Sequence, residues 1–547
     1  MKIRLSAIAL TSVFFSLACT VSLEASTGED ALWNLALKNK DTFRFSTLFT
    51  AQDVRRHLSS DEGLDKAVRW CKDTAVTKAF IESFRGGYRA ERKTLENARD
   101  RFRKAGIAAS GCITTTTLGK KSVKGWDSIC CYTDIPTQER LQSEFEFAAS
   151  MFDEIMIDDF LFTDCQCQEC QKARGSRSWA EFRCDLMVDV SRKRILAAAK
   201  KVNPKAKIII KYPQWYDKFH ERGYDVVRQT KDFDLIWVGT ESRDPDSQRW
   251  GRKAQYESYF IMQWLGSIGK GKTGGGWFDP YGTSPATYVE QARQTVLGQA
   301  KNALLFCYGS LQQRGGAADV AHLRKEIPAL FRLAALVREK PIVGIHAPKP
   351  PNSPPKEEPY IFDFVGMLGL PLVPSAEIDP GARAAFFSQH ALADLEFGDA
   401  LEKILIRAGR PVLITSHLGY IKGMLPQQLK NLHILKVGNE PRDLYKMTRE
   451  QLDPIRKALL APFRIEFSAP SRVALYLYAN TLVVIENFND TPAEVTFAKK
   501  GPYIISPVSL TPMDDGVSYQ KVAGAGTLRA TLPPRSLLAL ILQTELR

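Results

Sequence analysis

Between residues 42 and 338, short apolar runs alternate with longer stretches whose apolar positions recur every three or four residues. The first pattern is that of a strand covered on both faces, the second that of an amphipathic helix. The strands predicted are Phe43–Thr50, Ala79–Phe84, Ala105–Thr114, Glu154–Phe162, Lys207–Tyr212, Leu235–Thr240, Gly275–Phe278 and Ala303–Tyr308. Helical periodicity fills the gaps at Lys93–Lys104, Thr137–Met151, Ser178–Lys200, Pro285–Gln299 and Ala318–Arg338. Eight strands, each followed by a helical or irregular segment within about 300 residues, predict a (β/α)8 TIM barrel. A doubly wound sheet is the alternative, but it usually has fewer strands and a Gly-rich first turn.

The pattern shifts beyond the barrel. Pro341–His346 reads as a strand opening a second α/β unit, and the Pro-rich loop that follows cannot continue a helix or an inner strand. Tyr360–Leu370, Ala400–Ala408 and Pro411–Ser416 carry the alternation on. From Phe463 the period becomes two, in Phe463–Phe467, Val473–Ala479, Thr481–Phe488, Ala493–Phe497 and Ser536–Gln543, which predicts an antiparallel β domain. The expected boundaries are 42–340, 341–450 and 460–547.

Before residue 42 the chain reads as an export signal. Lys2 and Arg4 precede an apolar run from Leu5 to Ala18, and Ala25 suits cleavage, giving a signal peptide over 1–25. Ser16-Leu17-Ala18-Cys19 offers a rival reading, a lipoprotein with Cys19 lipidated, although Ser16 fits that box poorly. An exported protein, periplasmic or extracellular, with no transmembrane span beyond the signal, is expected. The formal charge of +14 suits anionic glycans or acidic surfaces. Its Lys and Arg are spread through amphipathic helices with no aromatic-interleaved stripe, which argues against nucleic acid as a partner.

Candidate chemistry follows from the barrel. In this architecture the active site lies where the strands end at their C-terminal face. Strand two ends in Glu82 and Arg85, strand four in Asp158 and Asp159, and strand five in Lys211 and Tyr212 with Trp215 in its loop. Strand six leads to Glu241 and then Arg243 and Asp244, strand seven to Trp277 and Asp279, and strand eight to Tyr308. Carboxylates with aromatics at one mouth suit a sugar site: aromatic faces stack on pyranose C–H surfaces, and carboxylates supply acid, base or nucleophile. Glycoside cleavage needs two carboxyl groups in different environments. Asp158 or Asp159 paired with Glu241 is the leading combination, and Glu82, Arg85, Lys211, Tyr212, Trp215, Trp277, Asp279 and Tyr308 are the expected sugar contacts. The adjacent Asp158-Asp159 also permits substrate-assisted cleavage of an N-acetylated sugar, one acid protonating while the other orients the acetamido group. A third reading is a non-catalytic, glycan-binding barrel.

Cys165-x-Cys167-x-x-Cys170 has spacing suited to tetrahedral thiolate coordination of zinc, with Cys130 or Cys131 as the fourth ligand. Such a site is structural and holds the loop beside Asp159. Disulfides are the alternative; the chain has ten cysteines, and processing at Cys19 would leave an odd number. No organic cofactor is expected. Gly266-Ser-Ile-Gly-Lys-Gly271-Lys272-Thr273 satisfies a phosphate-loop pattern by letter. A helical stretch precedes it and a strand follows, the reverse of what phosphate binding needs, so it reads as the approach to strand seven.

The layout resembles the glycoside hydrolase family 42 β-galactosidases. The cysteine run after strand four is similar to that family's zinc loop, with Cys130 or Cys131 placed like its extra ligand, Cys131 being taken as the fourth member of the set. Residues 360–372 resemble the opening of its second domain. The resemblance implies a TIM barrel, a glutamine-amidotransferase-like (flavodoxin-like) α/β domain used in homo-oligomer contacts, and a C-terminal β-sandwich. It also implies an enzyme, an O-glycosyl hydrolase acting on an oligosaccharide or polysaccharide. The chain departs from that family at the catalytic positions. Where the family has an Asn-Glu pair after strand four and a Glu after strand seven, this chain has Asp158-Asp159 and Asp279. An Asp at strand four with an acid at strand six looks like the α-galactosidase-type barrels, and an Asp-Asp pair like the substrate-assisted β-N-acetylglucosaminidases. The expectation is therefore an exo-acting, retaining glycoside hydrolase with its sugar left open.

Overall fold

The computed structural model describes residues 28–246, 253–425, 429–522 and 526–544. The expected signal segment and Cys19 lie outside these residues. Eight parallel strands close into a barrel: β1 Arg44–Phe49, β2 Val76–Arg85, β3 Ala108–Ile113, β4 Glu154–Ile157, β5 Lys207–Tyr212, β6 Leu235–Gly239, β7 Thr273–Phe278 and β8 Asn302–Leu305. Each pairs with its neighbours in sequence, and β1 also pairs with β8, which closes the cylinder. The longest departure from expectation is at β4, predicted to run to Phe162. Asp158 N donates to Ile113 O, the last rung, and Phe160 N then turns back onto Asp158 O, so the strand ends just before the aspartates.

The barrel interior is filled by Leu48, Phe80, Cys112, Met156, Ile209, Trp237, Trp277, Leu304 and Phe306. Because side chains alternate between faces, the residue two beyond each of these points inward again, one layer nearer the mouth. That step leads from Phe80 to Glu82, Met156 to Asp158, Ile209 to Lys211 and Trp277 to Asp279. The apolar layer therefore serves as the floor of a charged one.

Helices wrap the barrel where the 3.6-residue period placed them. Trp179–Val190 starts at a capping box of Ser178 and Glu181 and continues through a π-helical stretch, Ser191–Leu196, to Val202. Helix Glu257–Gly269 leads into β7 across the phosphate-loop look-alike. There Lys272 spends its ammonium on the carbonyls of Thr230, Lys231 and Phe233, so the motif is a structural turn.

A second, parallel sheet has strands β9 Ile345–Pro348, β10 Leu372–Ser375, β11 Ala385–Phe387, β12 Val412–Thr415 and β13 Leu432–Leu435, in the order β10-β9-β11-β12-β13. Second-first-third-fourth-fifth is the flavodoxin order. Tyr259 Oη donates to Leu372 O, and Trp264 Nε1 donates to Lys349 O, which ties this unit to the barrel helix.

Two four-stranded antiparallel sheets follow. Their strands are β14 Ile465–Ser468, β15 Val473–Tyr478, β16 Leu482–Asn487, β17 Ala493–Lys499, β18 Tyr503–Val508, β19 Ser518–Val522, β20 Thr527–Leu532 and β21 Leu537–Thr544. The orders are β14-β17-β20-β19 and β15-β16-β21-β18. Strands β18, β19 and β20 were not predicted; β19 is exposed along its whole length and so carries no apolar alternation. Tyr476 Oη and Glu486 both hydrogen-bond Gln294 and fasten these sheets to the barrel.

Candidate active site

The strand ends surround a cleft of about 680 Å³ lined by Arg85, Asp158, Asp159, Lys211, Trp215, Glu241, Arg243, Trp277 and Asp279, among others. The second sheet's unit contributes Tyr360, Asp363 and Phe364 to its wall. At the centre is Lys211, nearly sealed from solvent. Its Nζ lies 2.9 Å from Asp159 Oδ2, 2.8 Å from Glu241 Oε1 and 3.8 Å from Asp158 Oδ1, and 4.3 Å from the centroid of the Trp277 ring. Burial disfavours its charge, but the three carboxylates outweigh that and hold its pKa above the ordinary lysine value.

Asp158 and Asp159 are neighbours in sequence with opposite surroundings. Asp158 accepts from Arg85 Nη2 at 2.6 Å, from Thr114 Oγ1 at 3.1 Å and from the backbone N–H of Asp159 at 2.7 Å. Burial works against its anion, yet Arg85 and Lys211 prevail and hold its carboxyl below the usual range. Asp159 has Lys211 as its one ion-pair partner among the described residues, and it shares that cation with Glu241. Burial, reinforced by the charges of Asp158 and Glu241, pushes Asp159 up to about 8. The pair thus holds one ionised and one protonated carboxyl at neutral pH, which is the separation acid–base chemistry needs.

Across the mouth, Glu241 lies between Lys211 and Arg243, the latter 3.5 Å from its Oε2. Arg243 also grips Asp279 through two nitrogens, at 3.0 and 2.7 Å. Burial raises the Asp279 carboxyl in spite of that arginine. Lys211 bridges Asp159 Oδ2 and Glu241 Oε1, so these oxygens can lie no farther apart than the sum of its two contacts, under about 6 Å.

The comparisons with known proteins bear on this geometry. Residues 29–341 match the family described as "probable glycosyl hydrolase, catalytic domain", and residues 464–536 match "probable glycosyl hydrolase, C-terminal domain". The chain belongs to this glycosyl hydrolase family. An uncharacterised protein of Saccharolobus solfataricus is 25% identical over 370 residues, a match covering 62% of this chain and 61% of that relative's length. Among solved structures, α-L-fucosidase isoenzyme 2 from Paenibacillus thiaminolyticus superposes with a TM-score of 0.60 at 10% identity, covering 92% of this chain and all of that one. A catalytic mutant of Gan42B, a GH42 β-galactosidase from G. stearothermophilus, gives 0.59 at 10% identity over 92% and 98% of the two chains. At such identity the likeness is one of fold. The family assignment sets aside the reading of a non-catalytic barrel.

Within this hydrolase, three of the expected sugar contacts lie elsewhere. Tyr212 follows the inward-facing Lys211 and so points outward; it is fully buried, and its hydroxyl meets Thr230 Oγ1 at 3.0 Å. Tyr308 packs on Phe49 and Trp70 and lines a separate cavity that includes Trp33. Glu82 faces inward but is wholly buried. It accepts from Ala51 N and Arg85 Nε, and so holds Arg85 against Asp158. Lining residues that sequence reading missed include Trp126, Phe162, Lys218, Arg222, Lys253, Glu257, Phe306 and Tyr360. Most sit in the segments after the strands or in the second unit, where no periodicity points at the mouth. Phe306 instead follows β8 directly, and Glu257 opens the helix Glu257–Gly269. Burial pushes Glu257 up to about 7.

The four cysteines converge. Sγ atoms of Cys131, Cys165, Cys167 and Cys170 all lie within 4.8 Å of one another, with Cys131 at 3.8 Å from Cys167 and 3.5 Å from Cys170. A tetrahedral thiolate site with metal–sulfur bonds near 2.3 Å has sulfur–sulfur edges of about 3.8 Å, so the donor set fits a metal ion. All nine cysteines among the described residues carry free thiols, against the disulfide alternative. Cys130 stands apart; its sulfur accepts from Leu118 N. The cluster braces the loop that crosses the cleft rim: Val123 N donates to Cys165 Sγ, and Trp126 N and Ser122 Oγ donate to Asp164.

Proposed function

We propose that this hydrolase is an exported, exo-acting, retaining glycosidase in which Asp159 is the general acid and base and Glu241 the nucleophile. The observation that carries this reading is the Lys211 bridge, which limits the separation of Asp159 Oδ2 and Glu241 Oε1 to under about 6 Å and so supports double displacement over a mechanism that seats a water between the two groups. Asp159 is the acid because it shares its cation with Glu241 and neighbours an anion that is better compensated than itself. Protonated at neutral pH, it gives its proton to the glycosidic oxygen while Glu241 attacks the anomeric carbon. With the leaving group gone, Asp159 draws a proton from water and the glycosyl–Glu241 ester is hydrolysed.

Asp158 holds the pair in place. Both its oxygens are engaged by Arg85, Thr114 and the Asp159 N–H, which leaves it poorly placed to attack. The modest volume of the cleft, about 680 Å³, favours a chain end over a long polymer. Zinc at the four cysteines would hold the rim loop and take no part in bond cleavage. Export rests on the basic-then-apolar start of the chain.

A panel of aryl glycosides tests the reading, followed by a 2-deoxy-2-fluoro analogue of whichever sugar turns over. Mass spectrometry should find the trapped sugar on Glu241; a label on Asp158 would reverse the roles. The states of Asp158 and Asp159 also suit substrate-assisted cleavage of an N-acetylhexosaminide, which dispenses with Glu241. Glu241→Gln separates the two: near-normal turnover of an aryl N-acetylhexosaminide favours the assisted route.

A further inference from the structure

Among the described residues, six cations line the cleft, and four of them are matched by carboxylates in or beneath it. Arg85 pairs with Glu82 and Asp158, Lys211 with Asp159 and Glu241, Arg243 with Asp279, and Lys253 with Glu257. The remaining two are Lys218 and Arg222, four residues apart on consecutive turns of 3-10 helix, Tyr216–Lys218 and His220–Arg222. Among the described residues, the Lys218 ammonium meets no carboxylate and the Arg222 guanidinium makes no hydrogen bond. Among the same residues, the one carboxylate contact of Arg222 is Asp164 Oδ2 at 4.0 Å, and Asp164 already accepts from Ser122 Oγ and Trp126 N. Glu221, between the two cations in sequence, does not line the cleft.

Arg222 is nevertheless held in place. Its guanidinium carbon lies 5.2 Å from the ring centroid of Phe162, 5.4 Å from that of Trp215 and 5.6 Å from that of Trp126. Aromatic packing thus orients a fork of donors that, among the described residues, make no hydrogen bond. Beside it the Trp126 indole is 53% exposed at the rim, although its loop is tied down by Asp164 and the cysteine cluster. A neutral sugar hydroxyl would leave both charges uncompensated; a carboxylate or sulfate would satisfy them with charge-assisted hydrogen bonds while its ring stacks on the indole.

We propose that Lys218, Arg222 and Trp126 form a subsite for an anionic group on the glycan, a uronate carboxylate or a sulfate ester. This names the substrate class of the glycosidase proposed above and rests on that reading; the net charge of +14 acts in the same direction at longer range.

The test is calorimetric titration of Asp159→Asn, chosen to suppress turnover, with three matched oligosaccharides: neutral, uronate-bearing and sulfated. At least one anionic ligand should bind about tenfold more tightly than the neutral one, by an amount that shrinks with added salt. Whichever is tighter identifies the group. The preference should fall about tenfold in Arg222→Lys, which keeps charge but loses the fork, and in Lys218→Gln, an exposed position whose change leaves the fold intact. Equal affinity for all three ligands overturns the proposal, as does a preference that survives both substitutions. Binding is read without turnover, so absence of hydrolysis in the wild type would count against the catalytic reading alone.

Discussion

The backbone N–H of Asp159 donates to Oδ1 of Asp158 at 2.7 Å, so one residue of the pair helps to stabilise the charge of the other. The same arrangement leaves the Asp159 carboxyl beside an anion, in a half-buried position, sharing its cation. Two adjacent aspartates are thereby driven to opposite protonation states.

The acid role of Asp159 has a pH signature. A general acid works only while protonated, and burial with its charged neighbours places this group at about 8. Activity, measured as kcat/KM on an aryl glycoside with a poor leaving group, should hold at neutral pH and fall as pH rises through about 8. Asp159→Asn should lower it by about 10²–10⁴-fold and abolish that alkaline limb. A wild-type profile that is flat to pH 10 would remove Asp159 from the acid role.

Arg85 neutralises two buried carboxylates, Glu82 and Asp158. Arg85→Met should cost about 3–5 kcal/mol of unfolding free energy, because it strands buried charge without its partner. It should also depress kcat more than it alters KM. Denaturant unfolding and steady-state kinetics check the two parts; a stable, fully active variant would refute the clamp.

The cysteine cluster predicts a metal. Elemental analysis of the purified protein should find about one zinc per chain, and Cys131→Ser or Cys170→Ser should lose it. Both variants should unfold at lower temperature and bind substrate more weakly, since the freed loop carries Trp126. Cys130→Ser should keep the metal.

Tyr212 offers the opposite case. Its hydroxyl bonds only Thr230 among the described residues, outside the barrel. Tyr212→Phe should cost about 1 kcal/mol of stability and leave kcat/KM unchanged. A loss of activity beyond the loss of folded protein would return it to the site.

The alternation of apolar runs and amphipathic stretches was enough to place all eight barrel strands. Asp158, Asp159, Lys211, Glu241, Trp277 and Asp279 were legible as mouth residues because a barrel presents its strand ends to one face. The cysteine spacing likewise announced its cluster, although the choice of Cys131 over Cys130 needed the loop's path. Tyr212 was misplaced for want of the inside–outside phase, which only the packing of Ile209 and Lys211 into the barrel sets. Tyr308 was misplaced because a strand end does not say whether the next side chain turns inward.

Local chemistry and periodicity are properties of the chain, and they determined the barrel, a second α/β unit, the β-rich end and the carboxylates at the mouth. Protonation states and partners are properties of distance. Asp158 and Asp159 are equivalent letters until Arg85, from another strand, approaches one and leaves Lys211 to be shared by the other with Glu241. Lys218 and Arg222 are two more basic residues in a basic chain until the fold, among the described residues, pairs the other cleft cations closely with carboxylates and leaves these two without a close one. Tertiary structure decided these points because electrostatic interaction in a buried site depends on separations of a few ångströms between residues far apart in sequence.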